Sequence, residues 1–399
     1  MPNIMVRILL VLVTLLAAGT AANAQYYNTD KIGNLLLNAR NDMTIVCAHR
    51  GLHGTITGRN SDSWMQDYAE NTFAAVKLAA SRGIECSELD VRLDKSGRVV
   101  LMHDSNLGRL TMESYSSPFG VYDPYSGRGS NPAVDSYPGT VTNIRLRRPD
   151  LKGAVTQSSY VETLDQMLQA MKDNRISMVL FLDIRDAATA RAAWSIVKRF
   201  TNAWGTPAER WVYFKMQTGA LGEAPWMFES QLIVPTNELS RFRLIPVFTP
   251  AHIDASNGPA SSLSNWQSYY NKPYVYATEL LLKQYDAALS YPLNNILNTY
   301  LAWRTRPGPV KVLGSYQPVP ETTNRMYYAL DGHCCTGPQF WLWTSSKGFG
   351  RETADNRESL DWQMHVGNQS FSYIITDDPL TAKEQLFFAG RRNESVIAN

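Results

Sequence analysis

The segment NTFAAVKLAASRGIECSELDV, residues 71–91, decides the fold because its periodicity changes at Gly83. Before Gly83, apolar side chains recur at helical spacing and Thr72 is a candidate N-cap. After it, the helical spacing stops and a predicted strand continues to Val91, while another predicted strand, 44–48, precedes the segment. The order strand, helix, strand is the repeating unit of parallel α/β folds.

The same alternation continues along the chain and predicts a (β/α)8 barrel, an α/β fold, with long loops after its strands. Thr163 and Gln166 have capping-box spacing at the start of a helix, and a second helix is expected around residues 187–200. The predicted strands after 44–48 are 83–91, 98–102, 177–182, 211–215, 244–248, 274–278, 340–344 and 373–376. These are nine candidates for eight positions, and we expect 274–278 to be the accessory strand.

Three connections are long, rich in Gly, Ser, Asn, Pro and Tyr, and weakly periodic: residues 52–69, 105–160 and 250–272. They follow strands, and in a (β/α)8 barrel the loops after strands lie on the face that carries active sites. Long loops in a compact domain are typically lids or binding walls. Since no linker or repeat divides the chain, residues 25–399 are expected to form one domain.

The amino-terminal residues have the pattern of a secretory signal. Arg7 precedes an apolar run, 8–18, and Ala22-Asn23-Ala24 offers small residues for cleavage. The run is shorter than the roughly 20 apolar residues of a membrane span. We therefore expect a signal peptide over residues 1–24, a secreted or periplasmic protein, and no transmembrane segment after signal removal.

Composition indicates a globular protein and gives no sign of a nucleic-acid-binding one. With 399 residues, 44% apolar and 19% charged, the chain can bury a large core. Lys and Arg number 38 against 36 Asp and Glu, so nothing favours nucleic-acid binding.

The four cysteines are few for a chain of this length. Cys47 and Cys86 lie in predicted core strands, which favours buried thiols. Cys334 and Cys335 are adjacent, so a distant partner or free thiols are expected. A zinc site that includes His333 would lack the usual spaced ligand pairs.

Carboxylates on two predicted strands point to a metal site. Glu88 and Asp90 share one face of a strand, where a hard divalent cation would relieve their repulsion. The alternative is a surface strand with two solvated acids. Asp183 and Arg185 also share a face, at the end of an apolar run, and could add a third carboxylate and a phosphate clamp. An internal salt bridge between these two is the competing interpretation.

Two histidines follow apolar strands at the end where barrel chemistry takes place. His49 and His103 are each followed by a charged residue, and they bracket the carboxylate pair. Cleavage of a phosphodiester needs one proton to be removed and another to be supplied, and imidazole can do both near neutral pH. The pattern therefore favours metal-assisted phosphodiester chemistry, although a lone histidine at a strand end is more often structural.

These motifs resemble the glycerophosphodiester phosphodiesterase family, a branch of the phospholipase-C-like phosphodiesterase barrels. The resemblance rests on His49-Arg50-Gly51, Glu70-Asn71-Thr72, Glu88-Leu89-Asp90-Val91 and Val99-Val100-Leu101-Met102-His103-Asp104. Weaker matches follow in Thr163-Leu164, Trp343-Thr344 and Thr376-Asp377-Asp378-Pro379, which are similar to the family's "PTLEE", "WT" and "TDxP" segments.

The resemblance implies a barrel that hydrolyses glycerophosphodiesters to glycerol 3-phosphate and an alcohol with one bound divalent ion, Ca²⁺ or Mg²⁺. The glycerol 2-hydroxyl would attack the phosphorus and give a cyclic phosphate that water then opens. The implied roles are acid-base catalysis by His49 and His103, metal binding by Glu88, Asp90 and Asp183, phosphate binding by Arg50 and Arg185, and orientation of Arg50 or a histidine by Glu70.

The fourth predicted strand departs from the family pattern. The family usually has Glu-x-Lys where this chain has Asp183-Ile184-Arg185. An Asp here is similar to the sphingomyelinase-D-like phospholipases. The enzymatic alternative is therefore a phospholipase that acts on intact lipids, of the sphingomyelinase-D-like or the phosphoinositide-cleaving type. A non-catalytic barrel that binds an anionic ligand is a further alternative.

Two other features bear on the substrate. The insertion after His103 carries five aromatic residues that could stack on a sugar or enclose a quaternary ammonium group, or could simply pack with one another: Tyr115, Phe119, Tyr122, Tyr125 and Tyr137. Lys215 ends a predicted strand and is either a phosphate contact or a surface lysine.

Overall fold

The computed structural model describes residues 27–56, 59–157, 160–222, 225–249, 272–280, 312–317, 319–324, 326–336 and 371–399. Its strands are β1 (Ile45–Ala48), β2 (Cys86–Leu93), β3 (Val99–Leu101), β4 (Val179–Ile184), β5 (Val212–Gln217), β6 (Leu244–Phe248), β7 (Ala277–Leu280), β8 (Val312–Gln317), β9 (Tyr327–Tyr328), β10 (Cys334–Thr336) and β11 (Phe371–Thr376). Its α-helices are α1 (Thr29–Leu35), α2 (Phe73–Ser81), α3 (Leu164–Asp173), α4 (Ala187–Val197), α5 (Thr218–Leu221), α6 (Pro225–Ser230) and α7 (Pro379–Phe388). The predicted signal peptide and the predicted strand 340–344 lie outside these residues.

Within the described part of the chain, eight parallel strands close into a barrel in the order β1, β2, β4, β5, β6, β7, β8, β11. β11 pairs with β1, and β1 pairs with β2, which closes the ring. The predicted (β/α)8 barrel class is confirmed.

The accessory strand is β3, so the choice of 274–278 for that role was wrong. β3 runs antiparallel to β2, with Val91 opposite Leu101. Only residues 94–98 connect the two strands, and a parallel return would need a crossover of about a dozen residues. The expected strand 274–278 is instead the barrel strand β7, and β8 was not predicted.

Local capping signals place the helices as the sequence predicts. The Thr72 side chain accepts a hydrogen bond from the Ala75 amide at the start of α2. Thr163 and Gln166 form the reciprocal capping box of α3. α4 ends at Val197, three residues before the predicted boundary, and a turn follows at residues 198–199.

The barrel interior is layered. In the middle, the Phe181 ring packs edge-on against Tyr213 at 5.6 Å and Tyr373 at 5.2 Å between ring centroids. Any side chain at Gly314 would collide with the Tyr373 ring, so glycine is required there. α1 covers the amino ends of the strands, where Gly33 approaches the Tyr213 hydroxyl. This leaves the carboxyl ends for polar side chains.

The cysteine predictions were wrong. Cys47 of β1 and Cys86 of β2 are register partners and form a disulfide rather than buried thiols. Cys334 and Cys335 are bonded to each other rather than to distant partners.

The insertion that follows β3 has a small core of its own, which includes Leu107, Val134 and Val155. It packs on the segment that contains β9 and β10 through backbone hydrogen bonds, among them the Ser105 amide to the Leu330 carbonyl at 2.7 Å. The two segments therefore stand together at the carboxyl end of the barrel. Within the described residues, no helix combines the length and apolarity needed to cross a membrane.

Replacing both barrel cysteines in the variant Cys47→Ala/Cys86→Ala should destabilise the protein. The disulfide joins residues 39 positions apart, and freeing that loop in the unfolded chain should lower the free energy of unfolding by about 3–4 kcal/mol. Urea unfolding without reductant measures this. Cys334→Ala/Cys335→Ala is the matched control because its bond closes no loop, and equal losses in both variants would contradict the loop-entropy account.

Candidate active site

Three carboxylates meet at the carboxyl end of the barrel. Glu88 and Asp90 project from β2, and Asp183 projects from β4, where it is the register partner of Asp90. One oxygen from each lies within 4.8 Å of the others. Glu88 is fully buried and Asp90 almost so. Side chains alternate between the two faces of a strand, so Glu88 and Asp90 both point into the barrel. The register of β2 with β4 then places Asp183 beside Asp90.

Cations and hydrogen bonds balance this charge. Arg50 Nε lies 3.0 Å from Asp90 Oδ2, and Asn71 Nδ2 donates to the same oxygen at 3.0 Å. Burial opposes ionisation of Asp90, but Arg50 and the two neighbouring histidines outweigh it and hold its pKa below the usual range. Burial raises the pKa of Glu88 to about 7; Lys215 opposes this and Asp90 adds to it.

The donor set fits a divalent metal ion. Glu88 Oε1 and Asp183 Oδ1 are buried and accept no hydrogen bond within the described structure. Buried oxygens without a donor are costly, and carboxylate oxygens are the ligands that hard cations such as Mg²⁺ and Ca²⁺ prefer. An ion there would be held by Glu88, Asp90 and Asp183.

His49 is held by a carboxylate from the last barrel strand. Its Nδ1 lies 2.6 Å from Asp377 Oδ1, and its Nε2 faces Glu88 Oε2 at 3.8 Å. Burial alone would lower the pKa of His49, but Asp377 and Glu88 outweigh burial and raise it. The ring is thereby fixed with Nε2 toward the metal cluster.

His103 is held in a different way. Its Nδ1 contacts Asp104 Oδ1 at 2.9 Å, and Arg109 forms a two-pronged ion pair with Asp104 at 2.7 Å. Arg185 Nη2 lies 3.1 Å from His103 Nε2. Burial and the positive charge of Arg50 lower the pKa of His103 against the opposing effect of Asp90. Nε2 of this ring also faces the cavity.

The tight turn after β1 aims Arg50 into the site. Arg50 has a φ of 55° and Gly51 a φ of 82°, and a Cβ at Gly51 would come within 2.7 Å of the Ala75 side chain. Only glycine suits that position. The Arg50 guanidinium contacts Glu70 Oε1 at 3.0 Å and Glu321 Oε1 at 3.3 Å in addition to Asp90.

A single cavity of about 370 Å³ joins these groups. None of the five aromatic residues of the insertion lines it, so of the two interpretations the structure does not favour an aromatic wall made by them. The aromatic residues that do line it, within the described chain, are Tyr327 and Tyr328. The Tyr125 hydroxyl meets that of Tyr328 at 3.3 Å, so the insertion supports this wall from behind.

All eight predicted site residues lie together: His49, Arg50, Glu70, Glu88, Asp90, His103, Asp183 and Arg185. Sequence reasoning missed the groups that orient or balance them: Asp104, Arg109, Glu279, Glu321 and Asp377. Asp104 and Asp377 belong to motifs already quoted, directly beside His103 and after β11, so their positions were available signals. The surface interpretation of Lys215 was wrong, because it is buried. Among the described residues, the group of carboxylates close enough together to hold a metal ion is the acidic cluster.

Comparison with known proteins shows which family this site is similar to. Residues 49–206 match the model of the glycerophosphoryl diester phosphodiesterase family. The matched segment contains both histidines and all three carboxylates of the cluster. A glycerophosphodiester phosphodiesterase of Bacillus altitudinis is 39% identical over 69 residues, and one of Caldanaerobacter subterraneus subsp. tengcongensis is 41% identical over 68 residues. Each match spans 17% of this chain and only 23% of the relative.

A solved structure has a similar fold. A crystal structure of a glycerophosphoryl diester phosphodiesterase from Parabacteroides distasonis ATCC 8503 aligns with a TM-score of 0.53. The alignment covers 92% of this chain and 93% of that chain at 15% sequence identity. At this identity the likeness concerns the fold.

Replacement of the carboxylate that holds His49 should shift its titration. In metal-free Asp377→Asn the pKa of His49 is expected to fall below its ordinary value, since burial remains while the largest opposing charge is lost. NMR titration of the imidazole resonances measures this. Asp104→Asn is the matched control: it should change His103 and leave His49 in place. An unchanged His49 titration in Asp377→Asn would contradict the assigned cause.

Proposed function

We propose that this protein is an exported, metal-dependent phosphodiesterase that hydrolyses glycerophosphodiesters to glycerol 3-phosphate and an alcohol. The observation that carries the proposal is a carboxylate cluster fit for one divalent ion, flanked in one cavity by two histidines that are each fixed by a carboxylate. The family match over residues 49–206 supports the reaction class.

The two imidazoles would divide the proton transfers. Each ring has its Nδ1 bound to a carboxylate, Asp377 for His49 and Asp104 for His103, and its Nε2 directed to the cavity side. A substrate would have to replace the contact of His103 Nε2 with Arg185. One Nε2 would take the proton of the attacking hydroxyl as its oxygen bonds to phosphorus. The other would give a proton to the alkoxide as the phosphorus–oxygen bond to the alcohol breaks. Each carboxylate would stabilise the charged form of its ring, which the base reaches when it takes a proton and from which the acid starts.

Charge on the phosphate would be met by arginines. Arg185 lies beside His103 Nε2, and Arg50 lies between the carboxylate cluster and Glu70, so both guanidinium groups line the cavity where the diester would bind. A divalent ion held by Glu88, Asp90 and Asp183, Ca²⁺ or Mg²⁺, would polarise a phosphate oxygen as a Lewis acid.

Export is part of the proposal. Its support is the signal-like pattern of residues 1–24, together with a disulfide between β1 and β2, a bond that persists in oxidising compartments such as the periplasm and the cell exterior.

A phospholipase that acts on intact lipids is the second candidate, because much of the cavity wall is apolar. The insertion contributes Leu110, Leu146 and Leu151, and the opposite wall contributes Tyr327 and Leu330. Leu330 is 38% exposed, so the apolar wall reaches solvent. An apolar substituent on the substrate would find contact there without a change in the chemistry.

Substitution of a catalytic histidine tests the mechanism. His103→Asn should lower the rate of glycerol 3-phosphate release from a glycerophosphodiester by about 10²–10⁴-fold, with the melting temperature nearly unchanged. The exposed His333, outside the cavity, supplies the control variant His333→Asn, which should retain activity. Retained activity in His103→Asn would remove this ring from the mechanism, and activity that survives a chelator would remove the metal.

Paired substrates separate the two candidates. The proposed function predicts faster turnover of deacylated head-group diesters than of the corresponding intact phospholipids in mixed micelles. Leu110→Asn should then change neither rate greatly. Preferential cleavage of intact lipid, weakened selectively by Leu110→Asn, would instead establish the phospholipase.

A further inference from the structure

A buried lysine stands beside the carboxylate cluster. The Lys215 ammonium, on β5, lies 3.5 Å from Glu88 Oε1 and 3.8 Å from Asp183 Oδ2. It also lies 3.3 Å from Glu279 Oε1, on β7. Lys215 is only 4% exposed. The ammonium of this barrel-strand lysine therefore contacts two of the three residues that would hold the metal.

Glu279 is the other half of this arrangement. It is fully buried, lines the cavity, and its Oε2 accepts no hydrogen bond within the described structure. Its partner for charge is Lys215, which approaches it more closely than it approaches Glu88 or Asp183. The ammonium is thus shared between the metal cluster on one side and a fourth carboxylate on the other.

We propose that Lys215 is an internal counter-ion with which the divalent metal competes, and that Glu279 draws it away from the cluster, so that this pair sets the metal affinity of the site. The inference rests on the proposed metal dependence. It assigns Lys215 and Glu279 as positioning residues, acting on the metal through Glu88 and Asp183.

Lys215 and Glu279 carry opposite charges and should therefore have opposite effects on the metal affinity of the site. Without Lys215, the cluster loses a positive charge that repels an incoming cation, and the metal-free protein loses the charge that balances Glu88 and Asp183. Metal binding should then be tighter and the metal-free protein less stable. Without the charge of Glu279, the ammonium is committed to the cluster, so metal binding should be weaker. A salt bridge with only a structural purpose would move both variants in the same direction.

Isothermal titration of Ca²⁺ and of Mg²⁺ into chelator-treated protein tests this. Lys215→Met should lower the dissociation constant on the order of tenfold, and Glu279→Gln should raise it several-fold. Lys215→Arg, which keeps the charge, is the matched control and should remain near the wild-type value. Melting temperatures with and without Ca²⁺ should show a larger metal-induced rise for Lys215→Met than for wild type.

The outcomes separate this inference from the function it rests on. Shifts of the same sign in Lys215→Met and Glu279→Gln, or no shift in either, overturn the role of the pair while leaving a metal enzyme intact. Wild-type protein that binds neither ion overturns the metal dependence itself. If Lys215→Met does not fold without metal, Glu279→Gln carries the test alone, and unchanged or tighter binding in that variant overturns the inference.

Discussion

The site depends on one constraint: three carboxylates have oxygens within 4.8 Å of one another, and two of them, Glu88 and Asp90, are buried. Such charges repel strongly at low dielectric and must be balanced. The chain supplies a guanidinium from the turn after β1, an amide from the start of α2 and an ammonium from β5. These groups come from separate elements of the barrel. The charge of the cluster is therefore balanced only when the barrel has closed correctly.

Much of this could be predicted because it depends on local periodicity. The alternation of side chains along a strand places Glu88 and Asp90 together without knowledge of any partner strand. Caps such as Thr72 and Thr163 act over three residues and are equally visible. The direction of β3 was also accessible, since a connection of five residues cannot carry a parallel return.

What the sequence could not supply are the contacts between distant strands. Glu279 meets Lys215 across 64 positions, and Asp377 meets His49 across 328. Neither pairing has a periodic signal, because barrel register alone brings the residues to one height. The residues of the cavity wall could not be predicted from the sequence for the same reason. The aromatic residues of the insertion were conspicuous in composition, yet residues on the far segment, Tyr327 and Tyr328, face the site.

The contact between Asp377 and His49 joins nearly the two ends of the folded chain. The carboxylate follows β11, the strand that completes the ring beside β1, and its other oxygen receives the Val319 amide at 2.7 Å. A nascent or truncated chain that ends before β11 would possess both histidines and all three acids without a partner for the first imidazole. The orientation of this imidazole therefore depends on the last strand of the barrel, and it is fixed only when β11 has paired with β1.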